Sequence, residues 1–161
     1  MPARPRLRLA VPRLRHPQSL TSLAWVIIQA VLVSLFFVAP APRVEWTLVS
    51  APFSLLGVAM LAWSAVALGP SLTPFPRPSA RGRLTQLGPY RFVRHPMYMA
   101  VMFLAIGYSL AGLSIARFIA LLALISFLNV KARHEDALLR ERYSKYDAYA
   151  ATTKRFIPFV Y

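Results

Sequence analysis

Apolar residues run almost unbroken from Leu20 to Ala39, with Gln29 the one strongly polar side chain among them, and stop at Pro40 and Pro42. About twenty apolar residues suit a bilayer crossing and exceed the short apolar core of a signal peptide, so the stretch reads as a retained membrane helix. A second apolar run extends from about Thr47 to Gly69. The third starts at Met97 or Tyr98 and reaches about Leu113, short for a crossing, before Gly112 and Ser114 mark a tight turn. The fourth opens near Ile115 and continues without a break past Asn129 into polar sequence. There Leu138, Leu139, Tyr143 and Tyr146 recur at three- and four-residue steps, the spacing of one helix face. The pattern predicts an all-α integral membrane protein with about four transmembrane helices. The last is expected to run on into the cytoplasm as one long helix ending near Thr152.

Charge gives these spans an orientation. The chain has nineteen Lys and Arg against five Asp and Glu, and 57% of its residues are hydrophobic. Five arginines lie in the first nineteen residues, five more in the proline-rich segment between the second and third spans, and others in the tail. The two opposite loops carry only Arg43 and Arg117. Basic residues collect on the cytoplasmic side, which places both termini and the middle loop there. A net charge of +14 so distributed points to anionic lipid headgroups as partners and not to nucleic acid. His16, in the arm, reads as a solvated interface residue. The organisation expected is a basic arm at 1–19, two transmembrane helices within 20–69, and a region at 70–161 made of a loop, a helical hairpin and a cytoplasmic tail. There is no cysteine, which excludes thiol nucleophiles and Cys-ligated metals, and no metal site is expected.

The richest chemistry lies at residues 88 to 98, GPYRFVRHPMY. Pro96 suits the first turn of a helix and restricts His95 to extended conformations, so His95 sits where loop becomes helix. Free N–H groups at that helix start, beside Arg91 and Arg94, would receive a small anion, and Tyr90, Phe92 and Tyr98 offer flat faces to a planar ring. The same residue types also form the arginine and aromatic belt of an ordinary membrane interface. A second feature is HED at 134–136, which with Glu141 holds three of the five acidic residues. A Glu-Asp pair in so acid-poor a chain suggests a cation to hold, whether a loop arginine or the positive end of a ligand. Lys131 and Glu135, at i and i+4, share one helix face. Gln29 reads as a contact between packed helices.

Taken together, Gly88, Tyr90, Arg94, His95, Pro96 and Tyr98, then Glu135, Asp136 and Leu139, then Tyr143, Tyr146 and Tyr149, then Arg155, Ile157 and Pro158 resemble the isoprenylcysteine carboxyl methyltransferase family and its phospholipid methyltransferase relatives. The resemblance covers about residues 82 to 158. It implies a membrane-embedded methyltransferase that uses S-adenosyl-L-methionine, enclosed by the loop before the R-H-P element, that element, and the carboxyl-terminal helix. Carried over, Gly82, Arg83, Leu84, Thr85, Tyr90, His95, Pro96, Met97, Tyr98 and Glu135 would line the cofactor pocket. Lys131 stands where that family more commonly has an arginine facing the acceptor, with Arg133 as the alternative, so Lys131, Arg133 and Glu135 are the expected catalytic residues. The stretch YSKYDAY is one residue tighter than the family's usual spacing.

A carboxylate acceptor needs no general base. An amine needs one, and His95, His134 or Glu135 would serve. The acceptor is expected to be a lipophilic or lipid-anchored carboxylate of isoprenylcysteine type. The alternatives are a phospholipid or other lipophilic amine, and a non-catalytic four-helix membrane protein.

Overall fold

A computed structural model describes residues 20–40, 45–76 and 82–157. The basic arm with His16, the loop residues Pro42, Arg43, Arg77 and Arg81, and Pro158 lie outside the described residues. Five α-helices follow in chain order: α1 (Leu20–Val38), α2 (Ser50–Leu68), α3 (Pro96–Ala111), α4 (Ile115–Arg142) and α5 (Tyr146–Thr152), with short 3-10 turns at Gly69–Ser71 and Gly88–Arg91. By length and composition, Leu20–Val38, Ser50–Ser71 and Ile115–Arg142 are long and apolar enough to cross a membrane. α3 is apolar but has 16 residues, a rise of roughly 24 Å against a hydrocarbon core of about 30 Å. Leu23, Ile27, Val31, Leu35, Val58, Val66, Ile119 and Leu122 all face outward. An apolar exterior on helices that satisfy their own backbone is the solution a bilayer demands.

Small residues bring α2 and α3 together. A Cβ on Gly57 would stand 2.9 Å from the Leu104 nitrogen and 3.0 Å from the Ala100 oxygen, and one on Gly107 would stand 2.8 Å from the Ser54 nitrogen. Neither glycine leaves room for a side chain, so the two backbones touch, as small-residue faces allow in lipid. α1 packs instead on α4, where Trp25 stacks on His134 with ring centroids 5.3 Å apart and Phe36 joins Leu121, Leu124 and Leu128 in the core.

One expectation fails at the end of α4. The helix stops at Arg142, Tyr143 is extended, and α5 begins afresh at Tyr146. Had the helix run on, the ten residues from Asp136 to Tyr146 would separate them by about 15 Å. Instead the turn folds α5 back, and the Tyr146 hydroxyl donates to Asp136 Oδ1 at 2.5 Å. Beyond α5 the chain pairs with the loop before α3. Arg94 N–H donates to the Lys154 carbonyl at 2.8 Å and His95 N–H to the Arg155 carbonyl at 3.1 Å, around a parallel bridge between Val93 and Lys154.

Candidate active site

Pro96 is the first residue of α3, with His95 immediately before it at φ −123° and ψ 59°. The loop reaching His95 makes a tight turn at Gly88, whose φ of +58° is a conformation that other residues adopt only with strain. Pro89 and Tyr90 are buried in that turn. The Tyr149 hydroxyl then donates to the Tyr90 carbonyl at 2.6 Å, so α5 holds the turn from behind. Arg94 donates from Nη1 to the carbonyls of Ala150 (3.0 Å) and Thr153. Burial raises the phenol pKa values of Tyr90 and Tyr146 above the usual tyrosine range and pushes Tyr149 up to about 12, so at neutral pH all three are donors.

The two neighbouring acids divide their work. Asp136 is 1% exposed and is the hub of the tail. His95 Nε2 shares a hydrogen bond with its Oδ1 at 2.8 Å, Arg155 donates to its Oδ2 from Nε and Nη2 at 3.3 Å each, and Arg94 Nε lies 3.6 Å from Oδ1. Its charge is therefore spent inside the protein. Glu135 accepts the Tyr98 hydroxyl at Oε1 (2.5 Å), and its Oε2 is 3.6 Å from His95 Nδ1. The rings of His95 and Tyr98 stack 2° from parallel with centroids 5.5 Å apart. Lys131, one turn before Glu135, places Nζ 5.4 Å from the Tyr98 ring centroid.

These groups border a cavity of about 700 Å³, within the range of roughly 300–1,000 Å³ usual for small-molecule sites. Its polar part is walled by Gly82 to Thr85, Tyr90, Arg94, His95, Tyr98, Glu135, Tyr143, Tyr146 and Tyr149. The Tyr143 hydroxyl donates to the Gly82 carbonyl at 2.9 Å and Arg83 N–H to Ser71 Oγ at 3.2 Å, which fastens the loop over the cavity. Its apolar part is walled by Val26, Ala30 and Val33 of α1, Leu61 and Leu68 of α2, and Met97 and Val101 of α3. The lining therefore offers a ligand both polar and apolar surface.

Of the residues singled out in the sequence, Gly82, Arg83, Leu84, Thr85, Tyr90, His95, Met97, Tyr98, Lys131 and Glu135 all border this cavity. Pro96 does not; it is buried at the start of α3. Arg133 is exposed on α4 and does not border the cavity, being two residues from Lys131 and so on the opposite side of the helix. Phe92 packs toward Trp63 and under the Arg91 guanidinium, and His134 against Trp25, each away from the cavity wall. One cavity residue that the sequence reading took for helix packing is Gln29, whose Oε1 accepts from Lys131 Nζ at 2.5 Å. A lone amide in an apolar span carries no signal that separates the two roles.

No group of three or more His, Cys, Asp or Glu able to hold a metal occurs among the described residues. Among curated proteins, none matches the chain. The profile of the phospholipid methyltransferase family matches residues 46–146, well over half of the chain, and takes in α2, the loop with the R-H-P element, α3 and α4. The helices, the R-H-P turn and the acid pair facing it agree with that match, and the chain belongs to the phospholipid methyltransferase family, within the isoprenylcysteine carboxyl methyltransferase-like group of membrane methyltransferases.

Proposed function

We propose that this protein methylates a lipophilic acceptor, using S-adenosyl-L-methionine, at the cytoplasmic boundary of the membrane. The observation that carries the reading is one cavity lined both by polar side chains of the loop, α4 and α5, Lys131 and Glu135 among them, and by apolar side chains of α1, α2 and α3. The donor set fits the cofactor. Glu135 and the hydroxyls around it suit an ammonium or ribose, and the tyrosine faces suit adenine and a sulfonium, whereas the N–H groups of Arg94 and His95 that the sequence offered to a carboxylate donate instead to the carbonyls of Lys154 and Arg155. When bound, S-adenosylmethionine supplies an electrophilic methyl group on its positively charged sulfur. The protein's part is to align an acceptor in line with that methyl and to keep water out. Tyr98 and His95 hold the Glu135 carboxylate in one orientation, and Lys131 offers N–H donors to an acceptor's oxygens.

The acceptor proposed is a carboxylate on a lipid-like tail, of isoprenylcysteine type, because Lys131 presents a cation beside the apolar wall. Its attacking oxygen carries no proton, so no base is required. A lipophilic amine is the second reading, favoured by the family match, and there Glu135 takes the amine's proton. The test is calorimetry of S-adenosylmethionine on detergent-purified protein beside Glu135→Ala. Binding that falls at least tenfold in the variant supports the site; equal affinity in both proteins overturns it.

A further inference from the structure

Lys131 is 2% exposed, yet no carboxylate lies within ion-pair distance of it among the described residues. Glu135, its neighbour one turn on, is turned instead toward Tyr98 and His95. The ammonium is solvated by two neutral oxygens, Gln29 Oε1 at 2.5 Å from α1 and the Pro74 carbonyl at 3.5 Å from the loop after α2. An ammonium has three N–H donors, and both partners together take two. A neutral amide orients the charge without cancelling it, whereas a carboxylate in its place would do both. Glu135 and the Tyr98 ring act on this charge only from beyond contact distance, so an anion arriving in the cavity meets a buried cation that no directly bonded carboxylate neutralises. Gln29 and Lys131 both border the cavity, as do Val26, Ala30 and Val33 on the same helix as Gln29. α1 lies outside residues 46–146 that match the family.

We infer that Gln29 is a positioning residue for the acceptor: it holds the Lys131 ammonium toward the cavity so that the remaining donor meets an acceptor oxyanion. The inference rests on the carboxylate reading above and extends it to a helix outside the matched region. The role is selective by charge. An acceptor bearing the same tail and no negative oxygen gains nothing from the arrangement, and an amine acceptor is repelled by it.

The experiment is binding of N-acetyl-S-farnesyl-L-cysteine, and of its uncharged methyl ester, to protein saturated with S-adenosylhomocysteine. Wild type, Gln29→Leu, Lys131→Met and the double variant are compared. The expected result is about a tenfold loss of the acid in Lys131→Met, as for a hydrogen bond to a charged group, and a smaller loss in Gln29→Leu. The double variant should match Lys131→Met alone, because Gln29 acts through the lysine. The ester should bind all four alike. Acid affinity unchanged in Gln29→Leu, or losses that multiply in the double variant, overturns the positioning role. So does a Gln29→Leu protein whose affinity for S-adenosylhomocysteine falls as far as its affinity for the acid, since that assigns Gln29 to the fold. Wild type that binds S-adenosylhomocysteine but not the acid overturns the carboxylate reading itself.

Discussion

Replacing Asp136 by asparagine tests whether this one carboxylate fastens the tail over the cavity. Asparagine keeps the shape and one acceptor oxygen, so His95 and Tyr146 retain a neutral partner. It turns an amide NH2 toward the two Arg155 donors, which now stand 3.3 Å from Oδ2, and removes the charge facing Arg94. Hydrogen bonds to charged groups contribute about 1.5–3 kcal/mol each, and a buried arginine left facing a donor adds a desolvation cost. A loss of about 3 kcal/mol in the free energy of opening the tail follows, which is on the order of a hundredfold in the open population. Hydrogen exchange of the segment 146–157 in detergent reads this directly, as faster exchange there with α2 and α3 unchanged. The comparison is Asp147→Asn. Arg140 Nε also contacts Asp147 at 3.0 Å, but the side chains are 48% and 79% exposed, and a pair so solvated is worth a few tenths of a kcal/mol at most. Equal exchange in the two variants would refute the assignment of Asp136 as the fastening point.

Tyr149→Phe should cost about 1 kcal/mol through the lost bond to the Tyr90 carbonyl. It should also flatten the alkaline limb of stability. Burial holds the Tyr149 phenol at about 12, above its ordinary 10.0, so the folded chain keeps a proton that the unfolded chain releases. Its contribution is complete below pH 10 and is lost as pH rises through 12, measurable as the pH dependence of unfolding; an alkaline limb identical in the variant would contradict this. Arg133→Ala should leave cofactor and acceptor affinities within about twofold, as for a surface substitution, and a tenfold loss of either by calorimetry would return Arg133 to the site.

The spans were legible because length and hydropathy report directly on the solvent a helix must cross. α1 and α2 begin and end within a few residues of the boundaries that Pro40, Thr47 and Gly69 suggested, and Pro96 marked the start of α3 by its missing N–H. The pairing of the R-H-P turn with the acids 40 residues later was implied by the resemblance to the methyltransferase family, the residues alone having left the partner of the acids open between a loop arginine and a ligand. The break after Arg142 was hidden, since Leu139, Tyr143 and Tyr146 keep helical spacing across it. What ends the helix is long-range, the pull of Asp136 on Tyr146 and of the Tyr90 carbonyl on Tyr149. Gln29 was hidden for a similar reason, because its partner lies 102 residues away. Arg133 was separable from Lys131 by helix geometry alone, since two residues advance about 200° around the axis.

The pairing of residues 93–95 with 154–155 orders events during synthesis. Chains emerge amino terminus first, at about 5–20 residues per second. α1 to α4 are complete by Arg142, yet Tyr146, Tyr149, Lys154 and Arg155, which fasten the R-H-P turn and complete the polar wall, are still to come. A nascent chain halted at Arg142 therefore holds the apolar lining from α1, α2 and α3 and lacks the part of the polar lining that Tyr143, Tyr146 and Tyr149 supply. The polar wall is completed only by the residues from Tyr146 onward.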